Sequence, residues 1–361
     1  MKNKIRLYNI SEISTYILPL LRCALSGESV NLPKGVDWQM VKSVASMQGV
    51  SAVVLDGVAN AALVSSLSMA VKMQWIGEVA NQESMYEHSF RIACELSELW
   101  GQQEIEAVVL KGRSISQYYP KPEHRYSCDL DVYIAGDNWQ KACDILEAKG
   151  VKLVREVYKE VEFTYDGLYV ECHRFITPYR GNDTLKCFEH YLKELLSSMP
   201  IEYFEGTRLI CPPLLFTVML SIEHALGDLL HGKLSLKHVV DWVVLRGQNF
   251  DRDIVEEKCK EFGFDRFLRL IDALADVVEG KRDVDSLSRE HKEVFDSFFV
   301  LHPESKCVSS ADKSWFARRV ELFFEIIHNR NLFKRYGYCS MEKFLVKTVW
   351  AHFFDTKYKE V

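Results

Sequence analysis

The sequence predicts an α+β or α/β protein in which a small mixed β-sheet lies between helical N- and C-terminal regions. Apolar residues recur at helical spacing from about residue 11 to residue 100, and this spacing returns after Pro212-Pro213. Between residues 105 and 176, short runs rich in β-branched and aromatic residues indicate strands instead. The predicted regions are a helical segment at 1–103, an α/β core at 104–210 and a second helical segment at 211–361.

The N-terminal region carries its clearest helical signal in its second half. One face of the predicted helix is apolar apart from a single glutamine, and its residues are Trp75, Val79, Gln82, Tyr86, Phe90, Ala93, Leu96 and Trp100. Aromatic stripes of this kind usually pack into a core. We therefore expect this helix to form a packing layer rather than a cofactor site.

The central region contains a predicted helix, from about Asn138 to Lys149, and several short strands. The strands are predicted at 106–110, 129–134, 151–154, 161–165 and 168–176. Asp166-Gly167 between the last two strands is a strong signal for a two-residue hairpin. In the register set by that turn, the facing pairs are Tyr165 with Leu168, Phe163 with Val170, Val161 with Cys172, Glu162 with Glu171 and Glu160 with His173.

Charge and composition limit the classes of partner. A net charge of −6 argues against a surface that grips duplex DNA. The ten cysteines form no Cys-x-x-Cys pair and no zinc-spaced cluster, so we expect reduced thiols in a cytoplasmic protein. No apolar run approaches the roughly 20 residues that span a bilayer, so we expect no membrane partner. The sequence does not indicate an oligomeric state.

A turn after the first predicted strand is a candidate phosphate site. The strand ends at Leu110 and is followed by Lys111-Gly112 and a short helical stretch. Glycine at such a turn lets the backbone approach a ligand, and the free N–H groups of a helix start attract phosphate. A Lys-Gly pair alone is more often a surface turn. Ser114 is expected either to cap the helix or to contact phosphate.

Asp129 and Asp131 form a candidate metal site. Strand alternation places both carboxylates on one face and Leu130 on the other. Adjacent carboxylates repel unless a cation lies between them, and oxygen ligands suit Mg²⁺ or Mn²⁺. An isolated Asp-x-Asp is more often a solvated strand face. We also expect the variant Asp131→Asn to be as stable as the metal-free wild type or more stable, because it removes one of two repelling charges.

The combination of these motifs resembles a known family. Leu110, Lys111 and Gly112, then a spacer and Arg125, and then Asp129-Leu130-Asp131, are similar to the pattern of an uncharacterised nucleotidyltransferase family of the polymerase β-like superfamily. The chain has Lys111 where the superfamily often has its first glycine, and its spacer to Asp129 is longer. Both departures match the narrower family.

This resemblance implies the roles of the central residues. It implies that Asp129 and Asp131 bind the divalent metal and that Glu171, on a later strand, is the third carboxylate of the site. It also implies that Glu171 helps to activate the attacking hydroxyl. Lys111 with the turn at Gly112 would hold the triphosphate.

Three further side chains are expected near these residues. His173 shares a strand face with Glu171, and Glu162 is expected beside Glu171 in the same cleft. Arg125 is expected either to contact phosphate or to pair with an acid.

The C-terminal region shows a fainter resemblance to the same family. His224, His231 and the stretch from Lys237 to Asp241 resemble its histidine-containing helix and the aspartate-bearing helix that follows. Helical spacing places His224 near Asp228, and Lys237 near Asp241. A metal site of His224, Asp228 and His231 and a set of structural ion pairs are both open, and ion pairs are the more common outcome. We expect this layer to close over the substrate.

Taken as a family member, the chain would transfer a nucleoside monophosphate from a nucleoside triphosphate (NTP) to a hydroxyl group and release pyrophosphate. Mg²⁺ or Mn²⁺ is the implied cofactor. The acceptor is left open among a small molecule, a protein side chain and an RNA end. The alternatives are a non-catalytic nucleotide-binding or interaction module on the same fold, and a phosphotransferase.

Overall fold

The computed structural model describes residues 10–157, 159–178, 182–198, 200–204, 206–300, 324 and 327–342. Within them, one seven-stranded mixed sheet is covered by helices, so the predicted mixed fold with helical flanks is confirmed. Most of the predicted helical segment beyond residue 300 lies outside the described residues. Among the described helices, none combines the length and apolar character required to cross a membrane.

The helices fall into three groups along the chain. Those before the first strand are α1 (Ile10–Ser26), α2 (Trp38–Met47), α3 (Ser51–Asn60) and α4 (Met69–Gly101). Those among the strands are α5 (Lys111–Ser116), α6 (Asn138–Ala148) and α7 (Asp183–Ser198). Those after the strands are α8 (Leu214–Leu230), α9 (Leu236–Arg246), α10 (Arg252–Glu261), α11 (Asp265–Val278), α12 (Arg289–Ser297) and α13 (Arg330–Tyr336).

The sheet has the order β3-β4-β5-β2-β1-β7-β6. Its strands are β1 (Ala107–Val109), β2 (Asp129–Tyr133), β3 (Val154–Val157), β4 (Glu160–Tyr165), β5 (Leu168–His173), β6 (Glu202–Tyr203) and β7 (Leu209–Cys211). The pairs β1/β7 and β2/β5 are parallel, and the other neighbours are antiparallel. The parallel β2/β5 pair places the two motif-bearing strands side by side.

The predicted hairpin register is confirmed along its whole length. Tyr165 pairs with Leu168, and the ladder continues to Glu160 opposite His173. Asp166 and Gly167 both have positive φ, at 44° and 82°, as a tight two-residue turn requires. The turn chemistry therefore fixed which hairpin residues share a face.

One predicted strand was misplaced and two strands were missed. The strand predicted at 151–154 begins instead at Val154, because the Val151 N–H closes helix α6 by donating to the Leu146 carbonyl at 3.0 Å. Strands β6 and β7 were not predicted. They have two and three residues, too few to display a period-2 pattern.

Strand alternation gives the sheet two different faces. One face is mainly apolar and packs on α6 and the second half of α4, through residues such as Leu130, Val132, Val170, Trp100 and Trp139. The other face carries Asp129 and Asp131 on β2 and Glu171 and His173 on β5. The charged side chains of the two motif-bearing strands therefore share the second face.

The N- and C-terminal helices share one core. Leu20 of α1, Val54 of α3, Met219 of α8 and Leu270 of α11 are all buried in the same apolar cluster. The two predicted flanking regions are thus packed together rather than apart. The α4 stripe joins this cluster at Trp75, while its middle residues Gln82, Tyr86 and Phe90 are only half-buried.

Gly57 provides a test of this packing. A Cβ added at Gly57 would lie 2.1 Å from the Leu20 carbonyl oxygen of α1, so Gly57→Ala should lower the free energy of unfolding by about 1–3 kcal/mol. Gly77 of α4 is exposed and has no atom within 4 Å of an added Cβ, so Gly77→Ala should raise it by about 0.5–1 kcal/mol. Urea unfolding measures both. Equal effects of the two substitutions would contradict the close α1–α3 approach.

Candidate active site

A cleft of about 380 Å³ lies between the polar face of the sheet and helices α8 and α9. It brings together most of the residues singled out in the sequence, namely Lys111, Gly112, Arg125, Asp129, Asp131, Glu171, His224, His231 and Lys237. It also contains three charged residues that were not proposed as site residues, Lys159, Glu160 and Glu223, together with Asp228 of the possible histidine site. The motifs of the central strands therefore open onto the C-terminal helices.

The three carboxylates of the predicted metal site converge in this cleft. Asp131 pairs with Glu171 across the parallel β2/β5 ladder, so their side chains are neighbours on one face. Asp129 lies two residues along the same face, where the Ser127 hydroxyl donates to its Oδ1 at 3.2 Å. The arrangement is the one expected from the alternation of the two strands. The metal-binding role of the carboxylates stays a prediction.

Asp131 is held by two cations. Its Oδ1 lies 3.0 Å from Lys111 Nζ and 2.9 Å from His173 Nε2. Although burial opposes ionisation, Lys111 and His173 hold the pKa of Asp131 well below its usual range. The expectation that Asp131→Asn would relieve repulsion is therefore wrong, because the substitution would leave two buried cations without their shared partner.

The repulsion between the two aspartates affects Asp129 rather than Asp131. Burial and the neighbouring Asp131 charge raise the pKa of Asp129, and it has no ion-pair partner among the described residues. A divalent cation between Asp129, Asp131 and Glu171 would supply the missing positive charge. These are oxygen donors of the type that Mg²⁺ and Mn²⁺ prefer, so the residues fit the implied metal.

His173 is completely buried within a group of acids. Its Nδ1 lies 3.0 Å from Glu160 Oε2, and its Nε2 lies 3.4 Å from Glu171 Oε2. Burial and the charge of Lys159 oppose protonation, but the hydrogen bond to Asp131 and the nearby carboxylates of Glu160 and Glu171 raise the pKa of His173 to about 9. His173 is thus a cation at neutral pH. In this state it orients the carboxylates, and its ring nitrogen lies close enough to Asp131 and Glu171 for the three side chains to hold a metal ion once that proton is lost.

Glu162 occupies its predicted place in the ladder but not in the cleft. It lies directly opposite Glu171, as the hairpin register requires. The residues that line the cleft include Glu171 and Glu160, but not Glu162. Burial and a hydrogen bond with Glu162 raise the pKa of Tyr169, so Glu162 on β4 is engaged by a side chain of the adjacent strand β5.

The Lys111-Gly112 turn is tight and crowded. Lys111 has a φ of +33°, a left-handed value that costs a non-glycine residue about 1–2 kcal/mol. A Cβ added at Gly112 would lie 3.0 Å from Ser127 Oγ. Ser114 does not cap the helix and does not face the cleft. It lies in the first turn of α5, is buried, and its hydroxyl donates to the Lys111 carbonyl at 2.6 Å.

Of the two alternatives for Arg125, the structure shows the acid pair. Its Nε and one terminal nitrogen donate to the two carboxyl oxygens of Asp241, each at 2.8 Å. The Tyr119 hydroxyl donates to the same carboxylate at 2.6 Å. All three side chains are buried. Asp241 is therefore fully engaged, and the expected pairing of Lys237 with Asp241 is replaced by this cluster.

Two histidines of the C-terminal helices lie close to Asp228. His238, and not His231, is the close partner, with its Nε2 2.9 Å from Asp228 Oδ2. His224 Nε2 lies 3.8 Å from the same oxygen. The Ser235 N–H donates to His238 Nδ1, so the neutral ring carries its proton on Nε2. That Nε2–H group donates a hydrogen bond to the Asp228 carboxylate. This tautomer leaves no lone pair for a metal at His238, so we assign the cluster to structure.

Two charged side chains remain without partners in the described part of the cleft. Lys237 extends from the first turn of α9 and forms no ion pair or side-chain hydrogen bond there. Glu223 of α8 is 7% exposed and also has no hydrogen-bond partner. The sequence signal for Glu223 is a single acid within the mainly apolar first three turns of α8.

The comparison with known families agrees with this geometry. The family described as uncharacterised nucleotidyltransferase matches residues 34–278, which is more than half of the chain and includes every cleft residue discussed above. The chain belongs to this nucleotidyltransferase family. No curated protein matches the chain. The family assignment therefore supports nucleotidyl transfer in general and names no substrate.

The cluster of Arg125, Asp241 and Tyr119 makes a testable prediction about the nucleotidyltransferase fold. Asp241→Asn should lower the free energy of unfolding by about 3–5 kcal/mol, because it leaves a buried guanidinium without a charged partner. Tyr119→Phe removes one hydrogen bond to the same carboxylate and should cost about 1.5–3 kcal/mol. Urea unfolding of both variants tests this order. If Asp241→Asn were as stable as wild type, the pair would not hold the fold.

Proposed function

We propose that this nucleotidyltransferase moves a nucleoside monophosphate from an NTP to a hydroxyl acceptor and releases pyrophosphate, with Mg²⁺ or Mn²⁺ held by Asp129, Asp131 and Glu171. The observation that carries the proposal is the convergence of these carboxylates in one cleft beside the Lys111-Gly112 turn. When bound, the metal would neutralise the attacking and leaving oxygens.

The lysines supply the charge for the phosphates. Lys111 Nζ lies 3.0 Å from Asp131, and Lys111 directly precedes Gly112 in the chain. Its flexible side chain can therefore contact either Asp131 or a phosphate bound at the turn. Lys237 faces the same cleft from α9 without a partner. Burial and repulsion by Arg125 lower the pKa of Lys237, and a phosphate would provide the counter-charge that it lacks.

Neither alternative function has an observation of its own. A non-catalytic module would not need the three carboxylates to converge, whereas here they share one sheet face and one cleft. A phosphotransferase would use similar residues but would release a nucleoside diphosphate. We therefore place nucleotidyl transfer first, with the acceptor a small molecule, a protein side chain or an RNA end.

One experiment tests the reaction and finds the acceptor. The protein is incubated with a cell extract, Mg²⁺ or Mn²⁺, and each NTP labelled at the α-phosphate. Transfer of the label to a molecule in the extract, together with pyrophosphate release, supports nucleotidyl transfer. Appearance of a labelled nucleoside diphosphate instead would establish phosphotransfer. Binding of NTP without either product would leave the non-catalytic module.

The carboxylates make the first functional prediction. Asp129→Asn and Glu171→Gln should each lower the rate of pyrophosphate release by about 100-fold or more, because each removes a charge from the transition-state site. Both should also lose most of the thermal stabilisation that Mg²⁺ plus NTP gives to wild type. Glu162→Gln is the matched control, since it lies next to Glu171 but outside the cleft. Wild-type rates in Asp129→Asn would remove that residue from the site.

The second functional prediction concerns the lysines. Lys111→Ala and Lys237→Ala should each weaken NTP binding by about ten- to hundredfold, as expected for loss of a charged hydrogen bond, and should weaken monophosphate binding less. Lys237→Ala should not reduce stability, whereas Lys111→Ala should, because Asp131 loses a partner. Titration calorimetry and thermal unfolding measure these effects, with the exposed Lys152→Ala as control. Equal losses for triphosphate and monophosphate would place these lysines away from the outer phosphates.

A further inference from the structure

Glu223 differs from every other carboxylate in the cleft. Its side chain comes from the helical wall, on α8, opposite the sheet that carries the proposed metal ligands. Only 7% of its surface is exposed, and it forms no hydrogen bond or ion pair within the described residues. A buried carboxyl group without a partner is costly to maintain, so its place in an open cleft points to a ligand.

Most of the other carboxylates are engaged by cations, and Asp129, which is not, accepts a hydrogen bond from the Ser127 hydroxyl and belongs to the proposed metal site. Asp131 is bound by Lys111 and His173, and Glu171 lies 3.4 Å from His173 Nε2. Glu160 pairs with Lys159 at 2.7 Å. Carboxylates held by cations are weak proton acceptors, because the cation stabilises the ionised form. Transfer to a hydroxyl nevertheless requires that its proton be removed.

We propose that Glu223 is the general base that accepts the proton of the acceptor hydroxyl. The inference rests on the proposed nucleotidyl transfer and assigns the acceptor to the side of the cleft formed by α8. In the step, the proton moves from the hydroxyl to a Glu223 carboxylate oxygen while the acceptor oxygen bonds to the α-phosphorus. The bond from that phosphorus to the bridging oxygen breaks, and pyrophosphate leaves with the electron pair.

The surroundings of Glu223 suit this role at neutral pH. Burial raises the pKa of Glu223 to about 7, with Lys159 and Lys111 favouring ionisation and Asp228 and Glu189 opposing it. The other titratable or charged groups that line the cleft among the described residues are Arg125, Asp129, Asp131, Glu160, Glu171, His224, His231 and Lys237. His224, the adjacent residue on α8, is neutral, because burial and the Lys111 charge lower its pKa to about 3. A base whose pKa lies near the working pH is the most effective kind.

Glu223→Gln tests the role through a pH profile. Pyrophosphate release from ATP, GTP, CTP and UTP is measured with Mg²⁺ or Mn²⁺, with water and a cell extract as sources of acceptor. Wild-type kcat should fall tenfold per pH unit below about pH 7. Glu223→Gln should lower kcat by about 100-fold, lose this acid limb and keep the thermal stabilisation by Mg²⁺ plus ATP. Glu223→Asp should keep the limb at a reduced rate.

Glu189→Gln is the matched control. Glu189 is also a buried glutamate, but its carboxylate accepts hydrogen bonds from the Ile176 and Thr177 N–H groups and the Thr177 hydroxyl. Its substitution should lower stability and keep the acid limb, which can move only to lower pH because Glu189 opposes the ionisation of Glu223. Glu223→Gln should instead lose the acid limb and should not lower stability. A carboxyl whose pKa is raised from 4.5 destabilises the fold as pH rises through about 7, so the glutamine variant should unfold at a higher temperature at pH 8 and no higher at pH 4.

The outcomes separate this inference from the proposed function. If wild type released no pyrophosphate from any of the four NTPs, the proposed function would fail and the assignment of Glu223 with it. If wild type were active and Glu223→Gln kept both its kcat and its acid limb, only the assignment of Glu223 would be overturned. Loss of Mg²⁺-ATP stabilisation in Glu223→Gln would also overturn it, because a base for the acceptor does not hold the nucleotide.

Discussion

The buried carboxylate of Asp131 is the centre on which the geometry of the cleft depends. Its contacts with Lys111 and His173 join the turn after β1 to strands β2 and β5, and His173 in turn reaches Glu160 on β4. Each of these charges would be costly to bury alone, so they stabilise the site only as a set. This mutual dependence fixes the carboxylates in position before any substrate binds, which is the main contribution a protein makes to phosphoryl chemistry.

The opposite wall is held by a separate cluster. Arg125 lies just before β2, and its bidentate pair with Asp241 attaches the sheet to α9. That attachment places Lys237, one turn earlier on α9, over the cleft. Arg125 thus supports the site through position rather than through phosphate. A guanidinium suits this task because its planar fork matches both carboxylate oxygens.

Sequence reasoning was most successful where the signal was local. Asp166-Gly167 fixed the hairpin register, and alternation along β2 predicted that Asp129 and Asp131 share a face. It failed where partners are distant in sequence, because helical spacing predicted Lys237 beside Asp241 although Asp241 is bound by Arg125, 116 residues away. Glu223 was missed for a related reason. Its significance depends on the absence of a partner, which only the packed structure reveals.

The charged side chains of the cleft divide into two groups with different physical roles. Those in pairs, such as Lys111 with Asp131 and Lys159 with Glu160, are balanced by a neighbouring charge before any ligand binds. Those without a charged partner in the described structure are Asp129, Lys237 and Glu223. A nucleotidyl transfer needs a cation near the phosphate, a counter-charge for the outer phosphates and a proton acceptor. The three unpaired groups offer one site for each, so the charges left unbalanced by folding are those that the reaction would balance.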